Sequence, residues 1–166
     1  MKKISTHAAR ATALALGCLL LSAAIAAAQP ATIPRMASAP QSPSRTFKLV
    51  RDFLLQAGGA DMKIVSEDPG AHKLVATRQD IDTQTWGEWA YCKLGPSHLL
   101  DTLENGAVTV TVDIEPAANN TSFVKVTADF RGTYTLGSSE TATTCVSNGV
   151  LEDDILRAAG ASPQGS

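Results

Sequence analysis

What this chain lacks excludes more than what it contains. Its three cysteines, Cys18, Cys92 and Cys145, and its histidines, His72 and His98 among them, show no C-x2-C or H-x3-H pairing, so the spacing of a structural zinc site is absent. No Cys-x-x-Cys dithiol exists to tune a thiolate for redox work. Gly137-Ser138-Ser139-Glu140 is not a G-x-S-x-G elbow and does not join a strand to a helix, so it reads as a loop rather than as a nucleophile. Asp80-Ile81-Asp82 opens like a calcium loop, but Thr85 stands where an EF-hand needs glycine and Tyr91 where it needs glutamate. It reads as an acidic surface turn. No motif for a cofactor or a metal is present, and the pairing of carboxylates such as Glu88 and Glu115, which a small hydrolase would need, is not fixed by their positions in the chain. Aromatic residues make up only 5% of the sequence.

Basic residues are scarce outside the first ten positions. Lys2, Lys3 and Arg10 precede an apolar run over residues 11–28 that ends in Ala26-Ala27-Ala28 before Gln29-Pro30, the layout of a bacterial secretory signal with cleavage after Ala28. Removing residues 1–28 leaves eleven basic residues against all 16 acidic ones, a mature formal charge of −5. Nucleic acid is thereby disfavoured as a partner. The apolar run is interrupted by Thr12 and Ser22 and suits a cleaved signal better than a permanent membrane span. Leu16-Gly17-Cys18 resembles the lipobox of bacterial lipoproteins, which would make Cys18 an acylated N-terminus and give the protein its membrane contact. Ala15 and Leu16 depart from the usual lipobox residues, and Leu19-Leu20-Leu21 continues the apolar segment where a lipoprotein turns polar. The primary expectation is a periplasmic or secreted protein, with a lipid-anchored one as the alternative.

Residues 29–43 are rich in Pro, Ala and Ser and have no apolar period, the composition of a flexible linker. Residues 44–160 follow as one domain large enough to bury its own core, and residues 161–166 read as a disordered tail. Within the domain, Ser44 can cap a helix carrying Phe47, Val50, Leu54 and Ala57 at helical spacing, with Gly58-Gly59 as its stop. Residues 62–66 and 73–78 read as a hairpin around Asp68-Pro69-Gly70. Residues 86–94 read as a third strand. The clearest alternation is at residues 108–114, with Val108, Val110, Val112 and Ile114 on one side and Thr109, Thr111 and Asp113 on the other. Residues 122–134 repeat it with Val124, Val126, Ala128 and Phe130, and the Asn119-Asn120-Thr121-Ser122 sequons between the two mark a turn. Ser147 can cap a last helix bearing Val150, Leu151, Ile155 and Ala158, where Glu152, Asp153 and Asp154 favour the positive end of the dipole. The order predicts an α+β two-layer sandwich: an antiparallel sheet of about five strands, with N- and C-terminal helices covering one face.

That order, together with Leu54-Leu55 before Gly58, Ile64-Val65, Asp68 and Leu74-x-Ala76, resembles the helix-grip domains of small bacterial envelope proteins, the outer-membrane assembly lipoprotein BamC among them. The resemblance covers the first half of the domain best. It implies a protein-binding module of the cell envelope and transfers no catalytic residue.

Cys92 and Cys145 are the two cysteines of the mature chain, and in an oxidising compartment their default state is a mutual disulfide contributing about 2 to 4 kcal/mol. Trp86, Trp89 and Tyr91 form the one local concentration of aromatics, and their mixed parity on a strand predicts that at least one ring faces solvent as an anchor for a partner. The expected function is an exported, non-enzymatic envelope or secreted module that binds a protein partner. A small-ligand or glycan carrier is the alternative, and a small hydrolase the second alternative.

Overall fold

The structure, a computed structural model, describes residues 32–56, 60–92, 103–136 and 138–162. The signal segment 1–28, Cys18, His98, the Gly58-Gly59 stop and residues 163–166 of the expected tail lie outside the described residues. The described chain is α+β: Arg35–Ala39 (β1), Pro43–Leu55 (α1), Lys63–Asp68 (β2), Lys73–Ile81 (β3), Thr83–Trp89 (α2), Ala90–Cys92 (β4), Leu103–Pro116 (β5), Ser122–Leu136 (β6), Ser139–Ser147 (β7) and Val150–Ala158 (α3). All seven strands join one antiparallel sheet in the order β2-β3-β5-β6-β7-β4, with β1 paired to β6. The sheet is therefore larger than the five strands expected from sequence.

The expected alternation holds in β5 and β6. Val108, Val110, Val112 and Ile114 are buried, as are their partners Phe130, Ala128, Val126 and Val124 across the register. Leu54, Val50 and Phe47 of α1 and Leu151, Ile155 and Leu156 of α3 join the same core, α1 touching α3 and four strands, and α3 touching β1 and β6. Phe130 is the largest fully buried side chain among the described residues; truncating such a ring to Ala costs about 3 to 5 kcal/mol. A buried polar contact, Thr46 Oγ1 to Ser122 Oγ at 2.8 Å, ties α1 to the start of β6.

Several local expectations are corrected. Residues 35–39, read as linker, form β1, because Ala37 and Ala39 alternate inward while Met36 and Ser38 face out. Alanine carries little strand signal, which hid the alternation. Residues 86–89, read as strand, belong to α2, because the Asp82 carboxylate accepts hydrogen bonds from the Thr85 N–H and hydroxyl and so caps a helix; residues 90–92 are extended, and 93–94 lie outside the described residues. Those bonds also hold the Asp82 pKa below its ordinary value, so Asp82, the end of the suspected acidic turn, is a capping residue. Residues 139–147 form β7, which pairs with β6 from Leu136–Ser139 to Phe130–Cys145. The α1 cap is Ser42 with Pro43 at the first helical position, and α3 begins after Gly149 in the left-handed region (φ +88°) rather than after Ser147. Ala161 at the start of the expected tail is buried, its N–H bonded to the Leu156 carbonyl.

The topology leaves a split on one edge of β6. β1 pairs with Ser122 to Val126, and β7 pairs with residues from Phe130 onward. Past Cys145, β7 runs on to Ser147 and takes β4 as its partner. The lead-in to β1 and the β7–α3 junction consequently face each other.

Candidate functional site

A cleft of about 420 Å³ occupies that split, lined on one side by Thr32, Ile33, Pro34 and Arg35 and on the other by the segment from Cys145 to Gly149, with Glu152. Thr32 is held there by its hydroxyl, which donates to Asp129 Oδ1 at 2.6 Å. The opposite wall is fixed by the turn between β7 and α3. The Gly149 N–H donates to Ser147 Oγ (3.0 Å), the Val150 N–H to Asn148 Oδ1 (3.0 Å), and Asn148 Nδ2 to the Glu88 carbonyl (2.6 Å).

Glu152 is the chemically unusual residue. It is only 1% exposed although it stands in the first turn of α3. Its Oε2 accepts from the Ser147 hydroxyl at 2.7 Å, whereas its Oε1 is buried without a partner. Burial raises its pKa above the ordinary carboxyl range, opposed by the Ser147 bond, by its own backbone N–H and by the nearby Arg35 charge. Arg35 itself packs against Gly149, where an added Cβ would run into the guanidinium. The direct ion pairs among the described residues are Arg51–Glu67, Lys73–Asp113 and Arg157–Asp154, so Arg35 and Glu152 sit in one cleft without pairing with each other.

Of the three aromatic residues singled out in sequence, Trp86 and Trp89 are buried and are corrected to core residues. Three positions apart on α2, they share one face rather than splitting as strand parity would require. The Trp86 ring meets Phe130 edge-on at 5.3 Å, lies over Gly106 and directs its indole N–H at Cys92 Sγ, while Arg78 stacks over Trp89 at 5.6 Å. Tyr91 is the exposed ring, at 71%. It pairs directly with Val146 across β4 and β7, and Val146 is 56% exposed. Ile33, 81% exposed, and Val146 both line the cleft. An apolar rim thus borders a pocket with a charged floor, next to β4, the last strand of the sheet among the described residues.

Cys92 and Cys145 form a disulfide with Cα atoms 4.2 Å apart, directly opposed in the β4–β7 register. It clamps the three-residue β4, and with it Tyr91, to the rest of the sheet.

The remaining candidates fall elsewhere. Glu88 and Glu115 are both exposed, and neither lines the cleft. Ser44 Oγ and His72 Nε2 stand 3.1 Å apart, a pair invisible in sequence because 28 positions separate them. The His72 ring also meets Phe47 edge-on at 6.3 Å, and among the described residues no carboxylate is hydrogen-bonded to it. A Ser-His contact without an orienting carboxylate joins the β2–β3 turn to α1 but does not make a triad. Among the described residues no group of three His, Cys, Asp or Glu side chains is placed to hold a metal, and no helix is long and apolar enough to cross a membrane. No protein-family profile matches this chain, and neither a curated protein nor a solved structure is significantly similar to it.

Proposed function

We propose that this chain is an exported, non-enzymatic module of the cell envelope or its surroundings that binds a protein partner at the apolar rim beside the split in the sheet. The observation that carries the reading is the directly paired, exposed Tyr91 of β4 and Val146 of β7, on two strands that a disulfide clamps together. A large amphipathic ring held rigidly at the surface loses little conformational entropy on binding, the economy that makes aromatics frequent binding anchors. The clamp limits the same cost for the backbone. The helices are read as covering a single face of the sheet, in a two-layer arrangement that leaves the β4–β7 rim and the cleft open to a partner. The disulfide is compatible with an oxidising, extracytoplasmic location. The sequence resemblance to helix-grip envelope domains points the same way.

A small-ligand carrier is the second reading, favoured by the cleft's volume and charged floor. The two differ in what the rim does. Mature protein used to capture partners from envelope extract of the native host should retain a discrete protein that a Tyr91→Ser, Val146→Ser double variant loses, while both melt alike. Retention unchanged in the double variant would sink the rim as the binding surface. Mass spectrometry of the exported bait tests the export assignment: it should begin at Gln29, and an acylated Cys18 terminus would replace soluble export by lipid anchoring.

A further inference from the structure

We infer that the Cys92–Cys145 bond is an exchangeable disulfide, an activity separate from partner binding at the rim: the dithiol of a second protein attacks Cys92 Sγ, and the Trp86 indole N–H stabilises the Cys92 thiolate that reduction leaves.

The chain has no Cys-x-x-Cys motif, but the β4–β7 register sets Cys92 directly opposite Cys145 and so builds in space the pair that spacing along the chain does not. The two halves of the bond differ in access. Cys145 is buried in β7, at 7% exposure, whereas Cys92 is only half-buried, on a strand that spans three positions among the described residues. Exchange begins when a thiolate reaches one sulfur of the bond, so Cys92 is the side open to attack.

Trp86 supplies the second observation. It is 3% exposed, and its indole N–H, a group that can only donate, is directed at Cys92 Sγ. Buried indole N–H groups normally find a partner, yet the sulfur of a disulfide is a weak acceptor. A thiolate is a strong one, because a hydrogen bond to an ionised acceptor is about twice as strong as a neutral one. The same donor therefore gains more from the reduced chain than from the oxidised chain, and stabilising the reduced form makes a disulfide easier to reduce. Packing holds the ring independently of the bond: it meets Phe130 edge-on at 5.3 Å and lies so close over Gly106 that a Cβ there would stand 2.8 Å from it. The donor stays in place when the sulfurs separate.

The exchange balances with a dithiol as the reductant. Its first thiolate bonds to Cys92 Sγ while the Cys92–Cys145 bond breaks, and the electron pair leaves on Cys145 Sγ, which takes a proton from water. The second thiol of the dithiol, having given its proton to water, attacks the first at the mixed disulfide. That electron pair leaves on Cys92 Sγ, as the thiolate to which Trp86 donates. This chain gains two electrons, and the dithiol is oxidised to a disulfide.

The test mixes the full mature chain in its oxidised form with an equal concentration of a reduced thioredoxin-type protein, without denaturant, and counts thiols by alkylation and mass spectrometry. At equilibrium about a quarter of the chain or more should be reduced, the level that separates an exchangeable bond from a structural one against this dithiol; a smaller fraction would overturn the inference. A thioredoxin-type protein whose resolving cysteine is replaced by serine should be trapped on Cys92, and a trap on Cys145 would overturn the order of attack. Trp86→Phe keeps a ring but removes the donor, so it should lower the ratio of reduced to oxidised chain about threefold or more. An unchanged ratio in a variant whose urea melt shows it folded would overturn the role of Trp86. A further measurement leaves Trp86 in place. In Cys145→Ala, where Cys92 is the single thiol of the mature chain, alkylation by iodoacetamide should reach half its maximal rate below about pH 8, under the ordinary thiol value of about 8.5. A half-point at about pH 8 or higher would overturn thiolate stabilisation by the indole.

Discussion

Cutting the Cys92–Cys145 disulfide should loosen the edge that carries Tyr91. The two cysteines are 53 positions apart in sequence, so the bond closes a long loop in the unfolded chain. Chain-entropy reasoning sets the contribution of such a loop at about 4 kcal/mol at most, with 2 to 4 kcal/mol typical once native-state adjustment is allowed for. The structure places the loss locally. Among the described residues β4 spans three positions and pairs with β7 alone, so without the bond it is held by that short ladder, by the Asn148 bonds to Trp89 and Glu88, and by burial of the two tryptophans. Cys92→Ala should therefore lower the urea midpoint with little change in slope under oxidising conditions, and should match reduced wild type. Intrinsic fluorescence gives a second readout, because the Trp86 indole N–H points at Cys92 Sγ and contact with the disulfide quenches the ring. Emission should rise on reduction, and Cys92→Ala should start from the higher level. Two free thiols in denatured, unreduced protein, or a variant within about 0.5 kcal/mol of oxidised wild type, would refute the reasoning.

Glu152→Gln removes the buried charge whose desolvation raises the residue's pKa, so it should stabilise the protein at neutral pH. Because burial raises the Glu152 pKa above its ordinary value of 4.5, the folded state holds the proton more tightly than the unfolded one. Stability of wild type relative to the variant should then fall as pH rises from about 4.5 through the folded pKa, and a pH-independent difference in urea melts would contradict this. Trp86→Ala and Trp89→Ala should each cost about 3 to 5 kcal/mol in the same assay, while Tyr91→Ala should stay within about 0.5 kcal/mol of wild type. Strong destabilisation by Tyr91→Ala would make that ring a packing residue.

Much of the fold was legible where side chains differ sharply between the two faces of an element. Val108 to Ile114 and Val124 to Phe130 announce their burial by alternating with Thr, Asp, Lys and Arg, and α1 and α3 announce theirs by helical spacing. β1 and β7 were hidden because Ala37 and Ala39 are weakly apolar and because Ser139–Ser147 is largely threonine and serine; their strand conformation is imposed by pairing with β6. α2 could have been found from the Asp82-x-x-Thr85 cap, a signal outweighed by reading the aromatics as a strand. At least one of Trp86, Trp89 and Tyr91 was expected to be exposed; Tyr91 is, but as a strand residue following a helix rather than through parity with the two tryptophans. Glu152 was read only as a charge favouring the helix dipole. Its spacing from Ile155, Leu156 and Ala159 puts it on the buried stripe of α3, so the sequence did carry its burial. Arg35 lay in the supposed linker, and nothing local in the sequence links it to a residue 117 positions away.

The protein-binding rim is tested most directly by photocrosslinking in living cells of the native host. A benzophenone side chain is placed at position 91, at position 146, or at Lys125, an exposed residue of β6 away from the cleft. Positions 91 and 146 should yield the same discrete protein adduct on irradiation, with none at position 125. Adducts of equal yield at all three positions, or none at 91 and 146, would contradict the account.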